Sequence, residues 1–158
     1  MAQSGFVYDG GAGPGGDGAE GVAPQMKVIA RRVPLRLSVF ADRASIRDEV
    51  IEDALAAGLG IAAHEPVAAL VDDAPCALGD IVVLDCPAVD GAMLAGLARL
   101  DLRAARSGAQ LVVSTGAASL DDVFASLDQS QPLILIDPTR GERAVALGEA
   151  LARASGTR

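Results

Sequence analysis

The chain has 158 residues, 51% of them apolar but only 3% aromatic, and its 13 basic against 21 acidic side chains leave a net charge of −8. That length suits one ordinary domain with a full core. The acid excess would repel a phosphate backbone and the absence of Trp removes a stacking platform for bases, which excludes direct nucleic-acid binding as the expected role. Two cysteines, Cys76 and Cys86, with the lone His64 make neither a disulfide framework nor a zinc set. Packed thiols in a reducing, cytoplasmic compartment are therefore expected. No apolar run approaches the length of about eighteen residues that a membrane span needs, and the amino terminus lacks the basic-then-apolar layout of a secretory signal.

Taken in order, residues 1–26 are dominated by Gly with Pro and acidic residues, a composition that buries too little surface to offset the entropy of ordering. A disordered tail is expected there; a phosphate-cradling loop is not, because no Gly-Lys-Ser/Thr follows. Lys27, Arg31 and Arg32 read as a solvated lead-in to one domain over 27–154, with 155–158 the start of a linker.

Leu35 to Phe40 alternates into a first strand, and Ser45 with Asp48 makes a capping-box-like start for a helix carrying Ile46, Val50, Ile51, Ala54 and Leu55. Ile61 to Ala63 is a short second strand, and Pro66 opens a second helix that Asp72, Asp73 and Pro75 close. Ile81 to Leu84 has nothing polar on either face, as a central parallel strand should, and ends on Asp85. A third helix from Gly91 to about Arg106 shows Met93, Leu94, Leu97, Leu100 and Ala104 at helical spacing. Leu111 to Val113 is a fourth strand running into Ser114-Thr115-Gly116, and Ser119 caps a fourth helix with Leu120, Val123, Phe124 and Leu127 inward. Leu133 to Ile136 is a fully apolar fifth strand, and Thr139 with Glu142 forms a capping box for a last helix bearing Val145, Leu147 and Leu151. Five strands alternating with five helices predict right-handed crossovers and a doubly wound, five-stranded parallel sheet with helices on both faces.

In such a sheet, ligands and chemistry gather at the carboxyl ends of the central strands. Asp42, Asp85, Ser114-Thr115 and Asp137 all fall there. With Gly116 and Pro138 they resemble the receiver domain of bacterial response regulators over roughly Leu35 to Arg153. That family has an acidic residue or pair ending the first strand, a phosphoacceptor aspartate ending the third, Thr or Ser then a small residue ending the fourth, and Lys-Pro ending the fifth. Asp42, Asp85, Thr115 and Asp137 fall at those places, 43, 30 and 22 residues apart, and Pro87 with Asp90-Gly91 looks like a shortened form of the segment after the phosphoacceptor.

The resemblance implies the flavodoxin-like strand order 2-1-3-4-5, Asp85 as phosphoacceptor equivalent, and Asp42, Thr115 and Asp137 as the rest of the pocket. Two positions depart from the pattern. The acidic pair is reduced to Asp42-Arg43, and Asp137 stands where the lysine belongs, so a carboxylate replaces the counter-charge of an acyl phosphate. Phosphotransfer is therefore not expected, nor any catalytic residue. No cofactor is expected either; Mg²⁺ at Asp42 and Asp85 is the one considered, with Arg43 or Arg140 able to neutralise the cluster instead. The expected function is that of a degenerate receiver, a pseudo-receiver that regulates a transcriptional output module through protein contact. Its partners would be a second copy or an output domain, the family's dimerisation surface falling on Leu120 to Arg153 with Leu120, Phe124, Val145 and Leu147 as contacts. The alternatives are a phosphorylation-competent receiver and a nucleotide- or small-ligand-binding α/β domain. Asp85-Cys86-Pro87 also occurs in ParA- and MinD-like ATPases, but the lysine-bearing phosphate loop they need is missing.

Overall fold

The structure, a computed structural model, describes residues 33–71 and 78–156. The expected tail over 1–26, Cys76 and the last two residues lie outside them. The sheet is built from β1 (Arg36–Ala41), β2 (Gly60–Glu65), β3 (Ile81–Cys86), β4 (Gln110–Thr115) and β5 (Leu133–Ile136). The helices are α1 (Ala44–Ala56), α2 (Ala68–Val71), α3 (Gly91–Ser107), α4 (Leu120–Ser126, entered through a 3₁₀ turn at Ala117–Ser119) and α5 (Arg140–Gly156). All five strands are parallel in the order β2-β1-β3-β4-β5, the flavodoxin-like arrangement. None of the helices among the described residues is long and apolar enough to cross a membrane.

β3 is buried at every position because helices cover both faces of the sheet. Strand parity divides its neighbours. Leu37, Val39, Ile81, Val83 and Val112 pack under α1 and α5, against Val50, Ala54, Leu147 and Ala150. Phe40, Val82, Leu84, Leu111 and Val113 pack under α3 and α4, against Leu97, Leu100, Ala104 and Val123. Each large aliphatic side chain so buried contributes about 1.5–3 kcal/mol. Small residues at Ala146, Ala150 and Ala154 give α5 a flat stripe against the sheet.

The capping expected at α5 is present in both directions: the Thr139 N–H donates to Glu142 Oε1 at 2.9 Å and the Glu142 N–H to Thr139 Oγ1 at 3.1 Å. Asp90 caps α3 by accepting from the Met93 N–H at 2.8 Å, and Gly108 ends that helix in the left-handed conformation.

Four expectations need correction. No box forms at Ser45 and Asp48; the N-cap of α1 is Arg43, two residues earlier, with no side-chain cap bond. Ser119 holds the N-cap position of α4, but its side chain makes no cap bond. Phe124 points outward at 67% exposure, since a seven-residue helix packs only one narrow stripe, centred on Val123. Finally, α5 runs through Ser155 and Gly156, past the expected linker boundary.

One polar anchor was not expected. Asp101 faces inward from α3 at 2% exposure, and its carboxylate accepts the Gln129 N–H and Ser130 N–H, both at 2.9 Å, and the Ser130 hydroxyl at 2.5 Å. Three donors satisfy the buried charge and fix the loop that feeds β5. Asp101→Ala is expected to lower unfolding free energy by roughly 2–4 kcal/mol in denaturant titration, because two loop amides and a hydroxyl lose their shared acceptor. Asp101→Asn should recover part of that loss.

Candidate functional site

The carboxyl edge of the sheet carries the predicted constellation because four strands end there together. Register aligns Ala41, Asp85, Ser114 and Leu135 across β1, β3, β4 and β5. Asp85 sits one residue before the end of the most deeply buried strand and is itself 3% exposed. A carboxylate in such a place has to be compensated.

Arg43 compensates it. Arg43 Nε donates to Asp85 Oδ2 at 2.9 Å and Nη2 to Oδ1 at 2.8 Å, a two-pronged pair in which the planar guanidinium matches both carboxylate oxygens. The Arg43 side chain remains 55% exposed, so the pair closes the buried acid from the solvent side. Hydrogen bonding to Asp85 holds the guanidinium above the usual arginine range, the charges of Asp85 and Asp137 adding to the effect and partial burial opposing it. β5 brings no lysine to this acid, but the turn after β1 brings an arginine. Of the two arginines considered as neutralisers, Arg43 serves. Arg140 instead pairs with Glu52 and Asp53 on α1, each at 2.8 Å.

The other predicted residues divide. Asp42 is turned aside, its Oδ1 accepting the Val67 N–H at 2.9 Å and tying the turn after β1 to the segment after β2. Asp137 follows β5, its N–H bonded to the Thr115 carbonyl at 2.9 Å, in the left-handed region at φ 43° that Asp tolerates better than most residues. Thr115 is in register with Cys86, and the hydroxyl in register with Asp85 is that of Ser114. The sequence reading places Thr115 in the pocket, and the strand ends bring Ser114 and Thr115 side by side next to Asp85 and Cys86. Both hydroxyls are buried with no hydrogen-bond partner among the described residues. Gly116 is required by close approach: its N–H donates to the Pro87 carbonyl at 3.2 Å, and a Cβ there would lie 2.7 Å from that oxygen. His64 is exposed on the edge strand β2, away from any nucleophile-like arrangement.

The Mg²⁺ that the resemblance implies does not fit these side chains. One oxygen of Asp42 and both of Asp85 are already engaged, and no group of three His, Cys, Asp or Glu placed to hold an ion exists among the described residues.

The class of fold is clear from this geometry: a five-stranded, doubly wound CheY-like receiver fold with an acid at the end of its central strand. Solved structures bear that out. A CheY-like receiver domain protein from Methanospirillum hungatei JF-1 is similar with a TM-score of 0.59 and 16% identity over 80% of this chain and 100% of that one. The DrrB receiver domain, solved as BeF3-activated, gives 0.56 and 14% over 76% and 99%. NtrX from Brucella abortus, solved with ADP, gives 0.56 and 18% over 80% of this chain but 29% of its own. No family model and no curated protein matches the sequence.

Cys86, beside Asp85, is 2% exposed, and burial pushes its thiol up to about 12. The charge of Asp85 adds to that rise, and the nearby Thr115 hydroxyl opposes it as a weak dipole, short of a formed hydrogen bond. Because the native thiol holds its proton more tightly than an unfolded one, its contribution to stability is fully present below the ordinary thiol range and is lost as pH rises toward about 12. At mildly alkaline pH, native protein is expected to leave Cys86 unreacted with a thiol reagent that modifies it at once in denaturant. Rapid modification of Cys86 in the native state, located by peptide mapping, would contradict this burial.

Proposed function

We propose that this chain is a pseudo-receiver: a non-enzymatic signalling domain of receiver fold that works through protein contact without phosphoryl transfer and regulates a transcriptional output module. The observation that carries the reading is the two-pronged Arg43–Asp85 pair. An acceptor carboxylate must present a free oxygen to phosphorus and share a divalent cation with neighbouring acids. Here both oxygens face a guanidinium, and releasing one would leave a buried charge partly uncompensated. The carboxylate of Asp137 at the lysine position, near enough for its charge to act on Arg43, opposes an incoming phosphoryl group. That receiver folds are built into longer chains is seen in the NtrX structure, of which this chain matches 29%.

Incubation with a small phosphodonor such as acetyl phosphate, or with beryllofluoride, in the presence of Mg²⁺ tests this reading. Intact mass and fluorine NMR are expected to show no adduct on the natural chain. The double variant Arg43→Asp/Asp137→Lys, which restores the family's order of charges, should gain one. A stable adduct at Asp85 of the natural chain would overturn the reading.

Association is the second half of the proposal. Phe124 on α4, Ile136 on β5 and Val145 on α5 are 67%, 48% and 73% exposed around the free edge of the sheet. Beside them a groove of about 820 Å³ is lined by Leu133, Leu135, Pro138 and Ala146. Leu120 is half-buried at the rim. Leu147, expected among the contacts, is 6% exposed and belongs to the core, because it lies on the sheet-facing stripe of α5. Light scattering should therefore give a dimer that Val145→Asp or Phe124→Asp converts to a folded monomer, whereas Leu147→Asp unfolds the chain. A monomer at high concentration for the natural protein would count against self-association.

A further inference from the structure

The sheet ends on two strands, β2 and β5, and the two borders are finished differently. At β2 the pairing with β1 is broken by a register shift between Leu37 and Ser38, Glu65 stands exposed at the strand's end, and Arg36 Nη2 donates to the Ile61 carbonyl at 2.6 Å. Bulges, charges and covering side chains are the usual guards against unwanted strand pairing. Among the described residues β5 has none of them: its pairing with β4 is regular, and Leu133 to Ile136 are all aliphatic. The Asp137 N–H points at β4, where it meets the Thr115 carbonyl, so by alternation the main-chain groups of Ile134 and Ile136 face away from the sheet. We infer that β5 takes up a sixth strand, an extended partner segment with alternating apolar side chains and a Lys or Arg beside the carboxyl end of β5.

The walls beside β5 suit such a segment. Successive side chains of an added strand turn to opposite faces of the sheet. On one face they meet Val145 of α5, exposed in the groove that runs along β5, and on the other Phe124 of α4, which is exposed as well. Charge decides what kind of segment it is. All three arginines of α5 are already paired: Arg140 with Glu52 and Asp53, Arg143 with Glu49, and Arg153 with Glu149. Neither α4 nor β5 carries a cation. Asp121 and Asp122, in the first turn of α4, have no partner for their carboxylates among the described residues, and Glu142, in the first turn of α5, meets only the Thr139 N–H, a neutral group. Both helices start where a strand has just ended, so these three exposed acids lie at the carboxyl end of the sheet. A helix start favours acids but supplies no cation. A second copy would bring them arginines that are already paired, whereas a basic segment brings a free one. The added strand deepens the association proposed above, on which it rests.

A synthetic peptide with capped ends, in which Val and Thr alternate and a pair of arginines closes one end, tests the edge by NMR titration of the full chain. Saturable binding is expected, with hydrogen exchange slowed at the amides of Ile134 and Ile136 and unchanged along β2. Replacing the peptide's arginines with glutamates should abolish saturation. The variant Asp121→Asn/Asp122→Asn/Glu142→Gln, which keeps an acceptor for the capping of α5, should bind the basic peptide roughly fivefold more weakly. Unslowed exchange at Ile134 and Ile136 in the bound state would overturn strand addition, leaving side-chain docking alone, and so would equal affinity for the acidic peptide or no saturation at all. Protection of both amides in a dimer of the natural chain, before any peptide is added, would assign the edge to a second copy and overturn the inference as well. Light scattering reads dimerisation independently of amide exchange, so the association reading and the added strand can fail separately.

Discussion

A charge at the end of a strand that is covered on both faces must be met by another charge or stay protonated. In this protein the meeting of Asp85 and Arg43 answers that demand, and much of the surrounding architecture follows from it. Arg43 is the N-cap residue of α1, so the chain turns from β1 into its first helix with its side chain directed over the central strand. The Asp42 side chain then faces away and is spent on holding Val67. The acid, the turn and the loop after β2 form one connected arrangement, and loosening the ion pair would disturb all three.

Set beside the receiver pattern, the pocket has exchanged charges between two strand ends. The position after Asp42 carries a cation where an acid is usual, and the position before Pro138 carries an acid where the lysine is usual. The sum of charges is unchanged by that exchange, but its consequence is not. Here Arg43, from the turn after β1, engages both oxygens of Asp85. Net charge alone would miss this difference; the forked geometry of the guanidinium decides it.

Much of the fold could be read from the sequence for a simple reason. Apolar runs at β3 and β4, bounded by Asp, Gly and Pro, can only be covered central strands, and the helices between them have clear periods. Errors fell where tertiary context decides: Phe124 keeps helical spacing, yet α4 is too short to bury it. The candidate site was half legible. Asp85 was placed by its strand and Arg43 was named as a neutraliser, but which of the two arginines reaches Asp85 needed the turn after β1. The inward turn of Asp101 could not be foreseen either, since a lone acid within an amphipathic helix usually faces water.

That inward acid has an effect on the outermost strand. At four residues, β5 is too brief to set its own alignment through a ladder of amide bonds, and an outer strand left to slide invites pairing with foreign chains. Asp101 grips the peptide groups just ahead of it from the layer across the sheet, so the rim is moored sideways. The outer main-chain groups of β5 itself remain open, so a partner at this border meets a strand whose alignment is already set.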